Sequence, residues 1–566
     1  MTAVGAPALW FALLMMVAVV ALVVVFPRRA MPAGLVGYLA GTGAAVLAVG
    51  ALGRALVQHD FSLRYVAQYT SLMLDTQPAL TALWAGQAGT LLSFTALLSL
   101  CGTVAVLVHR RRVLTPIGTA ALAAVNVTGL AALCFGLSPF ARLASAPPEG
   151  RGLDPQLLHQ GMLWQPPLML LGLALTSVPF AFTVARWFGA AEALEEHEEW
   201  RGLVQRWLLV AWCALTAALA VGCWWAQQQL GWFGYFFTWE PYASAPVLPW
   251  LACSALLWLM VSGADRLRSA LWLAALVAFT FLLAVFAVVR ARSGIAASIR
   301  AVAASPTGFV LVLVGVGLVL LSLTGWAASR KGTATRAASR AGIGGLLTMV
   351  GVAIMAVALA ATPLRRELTT GLDIGQVADA RDPFGTAWRF TSQGLSSYQE
   401  PAYTVMAVAL NATRNGRRVG LLNSQQRQYF DAQDNDLFDP VTRVGSRHLL
   451  HETVTVAFLG PIDRTSAAVR ISFVPLVNAL WLGLGLTVLG VLLAAWPLEP
   501  LPHAWERGRS PAASRESLAP LPSASAAQPS AFPHRFCTAC GAPLVAADAH
   551  FCAECGEPVA QSSVSG

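Results

Sequence analysis

Charge is what this sequence has least of. Asp, Glu, Lys and Arg make up 11% of its 566 residues, against roughly 25% in a soluble globular domain. That excludes an ordinary water-soluble enzyme of this length. No glycine-rich phosphate-binding loop and no nucleophile elbow is present, so nucleotide-driven chemistry and serine-type hydrolysis have no motif to rest on. Histidine is scarce too. The nine are His59, His109, His159, His197, His448, His451, His503, His534 and His550, and none falls in a predicted membrane span.

What is abundant is apolar surface, 56% of residues, and it comes in long runs. Runs of about 17–25 residues are candidate membrane spans. Eleven are centred near Ala18, Ala45, Leu98, Asn126, Leu175, Leu215, Leu256, Ala278, Gly317, Ala353 and Gly485. The net charge of +9 belongs to their connections, where basic residues set topology, rather than to a nucleic-acid surface. With the N-terminus outside, the cytoplasmic loops hold Arg28/Arg29, Arg110/Arg111/Arg112, Arg186/Arg201/Arg206, Arg266/Arg268 and Arg330/Lys331/Arg336/Arg340. Arg290, Arg292 and Arg300 break the pattern on the outer side. The first run lacks a basic leader and is followed by Arg28 and Arg29, which predicts a retained span.

Along the chain, residues 1–362 read as a ten-span membrane domain. Residues 363–474 are polar, with alternating stretches such as Tyr403 to Leu410 and an Asn415-Gly416 hairpin signal, and predict a small β-rich extracytoplasmic domain. Residues 475–496 form the last span, and 497–534, rich in Pro, Ser and Ala, a disordered linker. Residues 535–559 close the chain with Cys537-Thr-Ala-Cys540-Gly and Cys552-Ala-Glu-Cys555-Gly. Two such knuckles predict a zinc ribbon in which four thiolates close a structural tetrahedral site. A cytoplasmic position argues against disulfides. The other five cysteines lie in predicted spans and need no role beyond packing. The fold class is thus an α-helical polytopic membrane protein with a β-rich domain and a C-terminal zinc ribbon.

The densest functional signal is the stretch 223–250, expected as a loop, with ten aromatic residues and Glu240 as its only charge. An aromatic belt is a few residues at each span end; a continuous aromatic segment fits a platform for a flat apolar ligand. An acidic run, Glu195, Glu196, Glu198 and Glu199 around His197, reads as a solvated helical face.

The aromatic stretch resembles the tryptophan-rich WWD motif of the CcmF-type haem lyases of cytochrome c maturation. Trp224, Trp225, Ala226, Leu230, Gly231, Trp232, Gly234, Trp239, Pro241, Pro249 and Trp250 match, while Glu240 replaces the family Asp and Ala243-Ser244 the family Glu-Asn. Further segments are similar: Asp60 to Ala67, Leu83 to Leu92 with Gln87 and Ala88 at the family His-Glu, Ser138 to Arg142 and Gly150 to Pro155. So are Arg292-Ser-Gly294, Arg427-Gln-Tyr429 and Val474-Pro-Leu-Val477 followed by Trp481-Leu-Gly483. Most of residues 1–496 is covered; the zinc ribbon has no family counterpart.

The resemblance implies haem held outside a bacterial-type cytoplasmic membrane by Trp224, Trp225, Trp232, Trp239, Glu240 and Trp250. Its partners would be apocytochrome c and other maturation subunits. The family's four haem-ligand histidines fall on Gln165, Trp258, Arg300 and Met349. A bis-His haem within the bilayer is therefore not available, and the iron would need a ligand from a partner, from the apocytochrome histidine, or on the outer side from His159, six residues before Gln165, or His59. The alternative is a haem-free relative serving as a membrane scaffold or regulator, with the ribbon as its cytoplasmic contact. A transporter has no convergent ionisable residues in the spans to support it.

Overall fold

A computed structural model gives the fold. It describes residues 2–26, 31–110, 115–188, 194–230, 246–262, 270–292, 340–361, 364–400, 403–430, 440–463 and 465–495. The helices are α1 (Thr2–Val25), α2 (Met31–Val57), the short α3 (Arg64–Tyr69) and α4 (Thr76–Thr81), α5 (Gln87–His109), α6 (Thr115–Phe135), α7 (Gly161–Leu175) and α8 (Ser177–Phe188). They continue with α9 (Leu194–Leu230), α10 (Val247–Ser262), α11 (Ala270–Arg292), α12 (Arg340–Ala360) and α13 (Val477–Ala495). Among the described residues, seven helical stretches are long and apolar enough to cross a membrane: α1, α2, α5, α6, the α7–α8 rod, α9 and α13. Shorter apolar stretches lie in α10, α11 and α12. The chain is thus a multi-pass membrane protein. Ten of the eleven expected span centres fall on these helices, and the eleventh, near Gly317, lies outside the described residues.

Two features depart from the sequence pattern. His109 closes α5 and is buried, its Nε2 accepting from the Trp207 indole at 3.1 Å, so one histidine does end a membrane helix. The aromatic stretch does not begin as a loop: α9 runs through Leu230 and carries residues 223–230 as its last two turns. No Gly or Pro interrupts Cys223 to Leu230 before Gly231, so nothing stops the helix there.

Packing in lipid depends on small residues and satisfied polar groups. Asn126 of α6, buried, donates to the Tyr38 hydroxyl at 3.2 Å and accepts from Ser99 at 2.8 Å, tying α2, α5 and α6 together. In α7, Pro166 has no N–H for the Met162 carbonyl one turn earlier. The Trp84 indole N–H takes that carbonyl instead, at 2.9 Å. The Trp84 segment is fixed in turn by the Tyr65 hydroxyl, which donates to Ala82 O at 2.8 Å and accepts from the Gly86 N–H at 3.0 Å.

Between α12 and α13 lies the β domain. β1 (Arg366–Leu372), β7 (Gly445–His448), β8 (Glu452–Pro461) and β9 (Ala467–Pro475) form one antiparallel sheet, in the order β1-β9-β8-β7. β2 (Val377–Arg381), β3 (Ala387–Glu400), β4 (Tyr403–Arg414), β5 (Arg417–Tyr429) and β6 (Val441–Arg443) form the other in sequential order. Trp388, Phe390, Val408, Leu410 and Leu422 of one sheet meet Val454, Val456, Phe458, Ile471 and Phe473 of the other in a single core. Asn415 and Gly416, at φ 47° and 78°, make the tight β4–β5 turn, with Arg414 opposite Arg417. Both positions need the left-handed region that Asn and Gly tolerate.

Candidate functional site

The site builds from the last turns of α9. Trp225 faces inward, buried against Met162 and Leu157. Trp224 stays 39% exposed, and its ring lies 5.1 Å from that of His159, tilted by 58°. The start of α7 nests between these groups because Gly161 has no side chain. A Cβ there would lie 3.0 Å from Trp225 Cβ, 3.1 Å from His159 Nδ1 and 3.3 Å from Trp224 Cζ3. The Gly161 N–H donates to His159 Nδ1 at 2.9 Å. Burial, and after it the Arg443 charge, lowers the His159 pKa, so the ring is neutral near pH 7 and its proton sits on Nε2.

Trp224 also borders an open cleft of about 550 Å³, lined by Ala220, Val221, Trp224, Gln227, Gln228, His448, Asn478 and Trp481. α9 supplies its floor, the end of β7 supplies His448, and α13 supplies Asn478 and Trp481. The three sources are locked by one relay. The Trp481 indole can only donate, and does so to Gln227 Oε1 at 3.2 Å. That orients the Gln227 amide so that its Nε2 donates to His448 Nδ1 at 3.1 Å. His448 is therefore also neutral with its proton on Nε2, and burial, with Arg447 adding to it, lowers its pKa. Asn478 donates to Leu449 O at 2.5 Å, and Leu476, at φ 57°, gives its N–H to His451 O at 2.8 Å. These two bonds pin the first turn of α13 to the β7–β8 connection.

Of the residues expected from sequence, the structure brings Trp224, Trp225 and His159 together. Trp250 it places elsewhere, in the first turn of α10, where its indole donates to Thr216 of α9 at 2.8 Å and stacks on Trp212 at 6.2 Å. Thr216 is eight residues before Trp224 on the helix, about 12 Å along it. Trp232, Trp239 and Glu240 lie outside the described residues, as do Arg300 and Cys537, Cys540, Cys552 and Cys555 of the expected zinc ribbon. His59 lies in the turn after α2 at φ 53°, with its ring 6.2 Å from Phe61. Gln165 is buried in α7 and Met349 sits in α12. Among the described residues no cluster of three or more His, Cys, Asp or Glu is placed to hold a metal ion.

Gln227, His448, Asn478 and Trp481 carry no local motif for a site. Gln227 and His448 are 221 residues apart in the chain, and only the return of the β domain onto α9 joins them. Trp481 does belong to a segment resembling the haem-lyase family, and that is the one sequence signal pointing to it.

Residues 84–296 match the model of the cytochrome C assembly protein family. That range contains His159, Trp224 and Trp250 but not His448 or Trp481. The probable cytochrome c-type biogenesis protein NrfE of Escherichia coli K12 is 34% identical over 311 residues, which are 53% of this chain and 54% of that protein. The cytochrome c-type biogenesis protein ccl1 of Rhodobacter capsulatus is 34% identical over 286 residues, 49% and 42% of the two chains. CcmF of Escherichia coli K12 is 31% identical over 284 residues, 48% and 43%. The chain spans about half the length of the curated relatives it matches. A solved structure of the cytochrome c haem lyase CcmF has the same fold, with a TM-score of 0.64 at 22% identity over 88% of this chain and 97% of that one.

Proposed function

We propose that the chain is a CcmF-type cytochrome c-type biogenesis protein, as its similarity over residues 84–296 and to the NrfE and CcmF relatives supports, and that it works in cytochrome c maturation as a haem-lyase-like subunit. Its substrates would be haem and an apocytochrome c, with other maturation subunits as partners. The observation that carries this reading is the ring-lined cleft in which Trp224, Trp481 and His448 meet, with the His159 ring against Trp224.

The residues fit the ring of a haem better than its iron. Pockets for flat cofactors are mostly apolar, with a few fixed polar groups, and of roughly 300–1,000 Å³; the cleft fits that description. Both His159 and His448 use Nδ1 as an acceptor within the protein, which leaves each with an Nε2–H donor rather than a lone pair for iron. In this arrangement they orient the ligand's edge, and the axial ligand would come from the apocytochrome's own histidine or from a partner. The attachment itself is thiol addition to a haem vinyl group. The S–C bond forms, the vinyl π bond breaks, and the thiol proton passes to the other vinyl carbon, with no oxidant needed. The protein would contribute orientation.

For the cleft to meet an apocytochrome the β-domain side must be extracytoplasmic. The basic residues of the loops expected at the opposite side support this topology. It places the Cys537, Cys540, Cys552 and Cys555 module in the cytoplasm, as a structural zinc ribbon that contacts a partner. A second reading, a haem-free scaffold, draws on the same two engaged histidines.

Haem content separates the two. The full chain, produced in a haem-replete host and purified in mild detergent, should carry near-stoichiometric haem by pyridine haemochrome, and Trp224→Ala together with Trp481→Ala should lose most of it. Haem-free wild-type protein, from cells in which a control haem lyase is loaded, would turn the assignment to the scaffold.

A further inference from the structure

We propose that Arg427 and Arg443 form a receptor for the carboxylate edge of the ligand held at Trp224, the two propionate groups of haem; the proposal rests on the haem-holding reading above. The β5–β6 register sets Gln425 opposite Arg443 and Arg427 opposite Val441. The two arginines therefore leave the same face of the sheet on a diagonal, with backbones roughly 7–8 Å apart. That face is the one turned away from the sandwich core. Val405, opposite Arg427 on β4, is fully buried, so this face is partly covered at the two arginines, although Tyr398 opposite Val405 on β3 is exposed.

Neither guanidinium makes an ion pair among the described residues. Arg427 gives one hydrogen bond, to Gln425 Oε1 at 3.3 Å, and lies 4.9 Å over the Tyr403 ring. Its Nε is buried without a hydrogen-bond partner. Arg443 is half-buried, and burial together with the neighbouring Arg427 charge pulls its pKa below the usual guanidinium range. Glu400, opposite Tyr403 in the β3–β4 register, is exposed and pairs with neither.

Two adjacent, partly desolvated cations with donors unspent are costly unless an anion completes them. A guanidinium fork matches a carboxylate edge to edge. The location ties the pair to the cleft. β6 packs on α9, the Arg443 charge acts on His159, and His159 lies against Trp224. Two residues beyond Arg443 begins β7, which ends in His448 of the cleft wall. A planar ligand on Trp224 with two carboxylates on one edge would thus find aromatic faces under its ring and two cationic forks beside it.

The test compares haemin with haemin dimethyl ester, which keeps the ring and the iron but has no carboxylate. Binding of each to the detergent-solubilised full chain is followed by quenching of tryptophan fluorescence. The wild type should bind the ester roughly 10- to 100-fold more weakly than haemin. The Arg427→Gln/Arg443→Gln double variant should bind haemin as weakly as the wild type binds the ester. Arg427→Lys, which keeps the charge but not the fork, should fall between, and the thermal midpoint of each variant confirms that it folds. Equal binding of both ligands by the wild type, or an undiminished preference in a folded double variant, overturns the carboxylate receptor while leaving the haem-holding reading intact. Binding of neither ligand by the wild type removes that reading and the receptor with it.

Discussion

At the scale of single residues, the buried charges of the β domain give the sharpest expectation. Glu452 is fully buried, 3.4 Å from Arg414 Nη2, and the neighbouring Asp382 carboxylate lies 3.7 Å from the same Nη2. Burial first, and then the Asp382 carboxylate, push Glu452 up to about 7. Burial also pushes Asp382 upward, but hydrogen bonds from Thr386 and Trp388 outweigh it and leave that carboxyl low. For Glu452 the folded chain keeps a proton that the unfolded chain has already released. Stability therefore falls as pH rises from the ordinary glutamate range to about 7 and is level above it. The slope from this one group is at most about 1.4 kcal/mol per pH unit. Wild-type protein in detergent should melt at a higher temperature at pH 5.5 than at pH 8, and Glu452→Gln should remove most of the difference; an equal pH dependence in the variant would show that another group sets it. Trp84 offers a second case. Trp84→Phe leaves the Met162 carbonyl, already without the Pro166 N–H, facing apolar surroundings. It should cost about 1–3 kcal/mol, read as a lowered thermal midpoint; an unchanged midpoint would mean that another donor takes the carbonyl.

At the scale of elements, α12 and α13 are held by backbone contact. A Cβ on Gly351 would fall 2.5 Å from Gly483 O, and one on Gly490 would fall 2.5 Å from Gly344 O. Each helix thus repeats a glycine seven residues on, and the stripes face each other. Gly351→Leu cannot be absorbed by a side-chain rotation, so the helices must part, at a cost of about 1–3 kcal/mol or more. Because α13 also carries Asn478 and Trp481, the same substitution should weaken haem binding, whereas Gly485→Leu, where nothing lies within 4 Å of the added Cβ, should affect neither. Identical behaviour of the two variants in a thermal melt would refute the stripe. Which elements are legible in the sequence follows from the same physics. Long apolar runs and the Asn415-Gly416 turn have strong local causes, and among the described residues helices and the turn stand where the pattern predicts. α3 and α4, six residues each, are too short to show a period and exist through tertiary bonds such as Tyr65 to Ala82. The helical start of the aromatic stretch is legible only if the absence of a breaker before Gly231 outweighs its aromatic character. The motif and its neighbourhood point to Trp224 and His159, which the structure sets side by side in the candidate site. His448, Gln227 and the Arg427–Arg443 pair are not, because a cleft wall contributed from a distant sheet leaves no spacing in the chain.

At the scale of the whole molecule, the chain divides into a unit of residues 1–499 and a second of 500–566, and the chemistry proposed for each is independent. The first needs its helices and β domain to set the cleft. The second has four cysteines in two C-x-x-C-G knuckles and too few residues for a core, so a metal would have to supply the folding free energy. Thiolate ligation releases protons, so occupancy should drop as the medium is acidified. Purified full chain at pH 7.5 should hold one zinc ion per molecule by elemental analysis. Cys540→Ser/Cys555→Ser should hold none, while its haemin affinity and the thermal midpoint of the membrane and β-domain unit stay at wild-type values. Zinc-free wild-type protein with two disulfides by intact mass would overturn both the ribbon and its cytoplasmic placement, since those bonds persist only in an oxidising compartment. A zinc-loaded wild type with unaltered haemin binding in the variant would instead separate the ribbon from the proposed haem site and favour a contact with another protein.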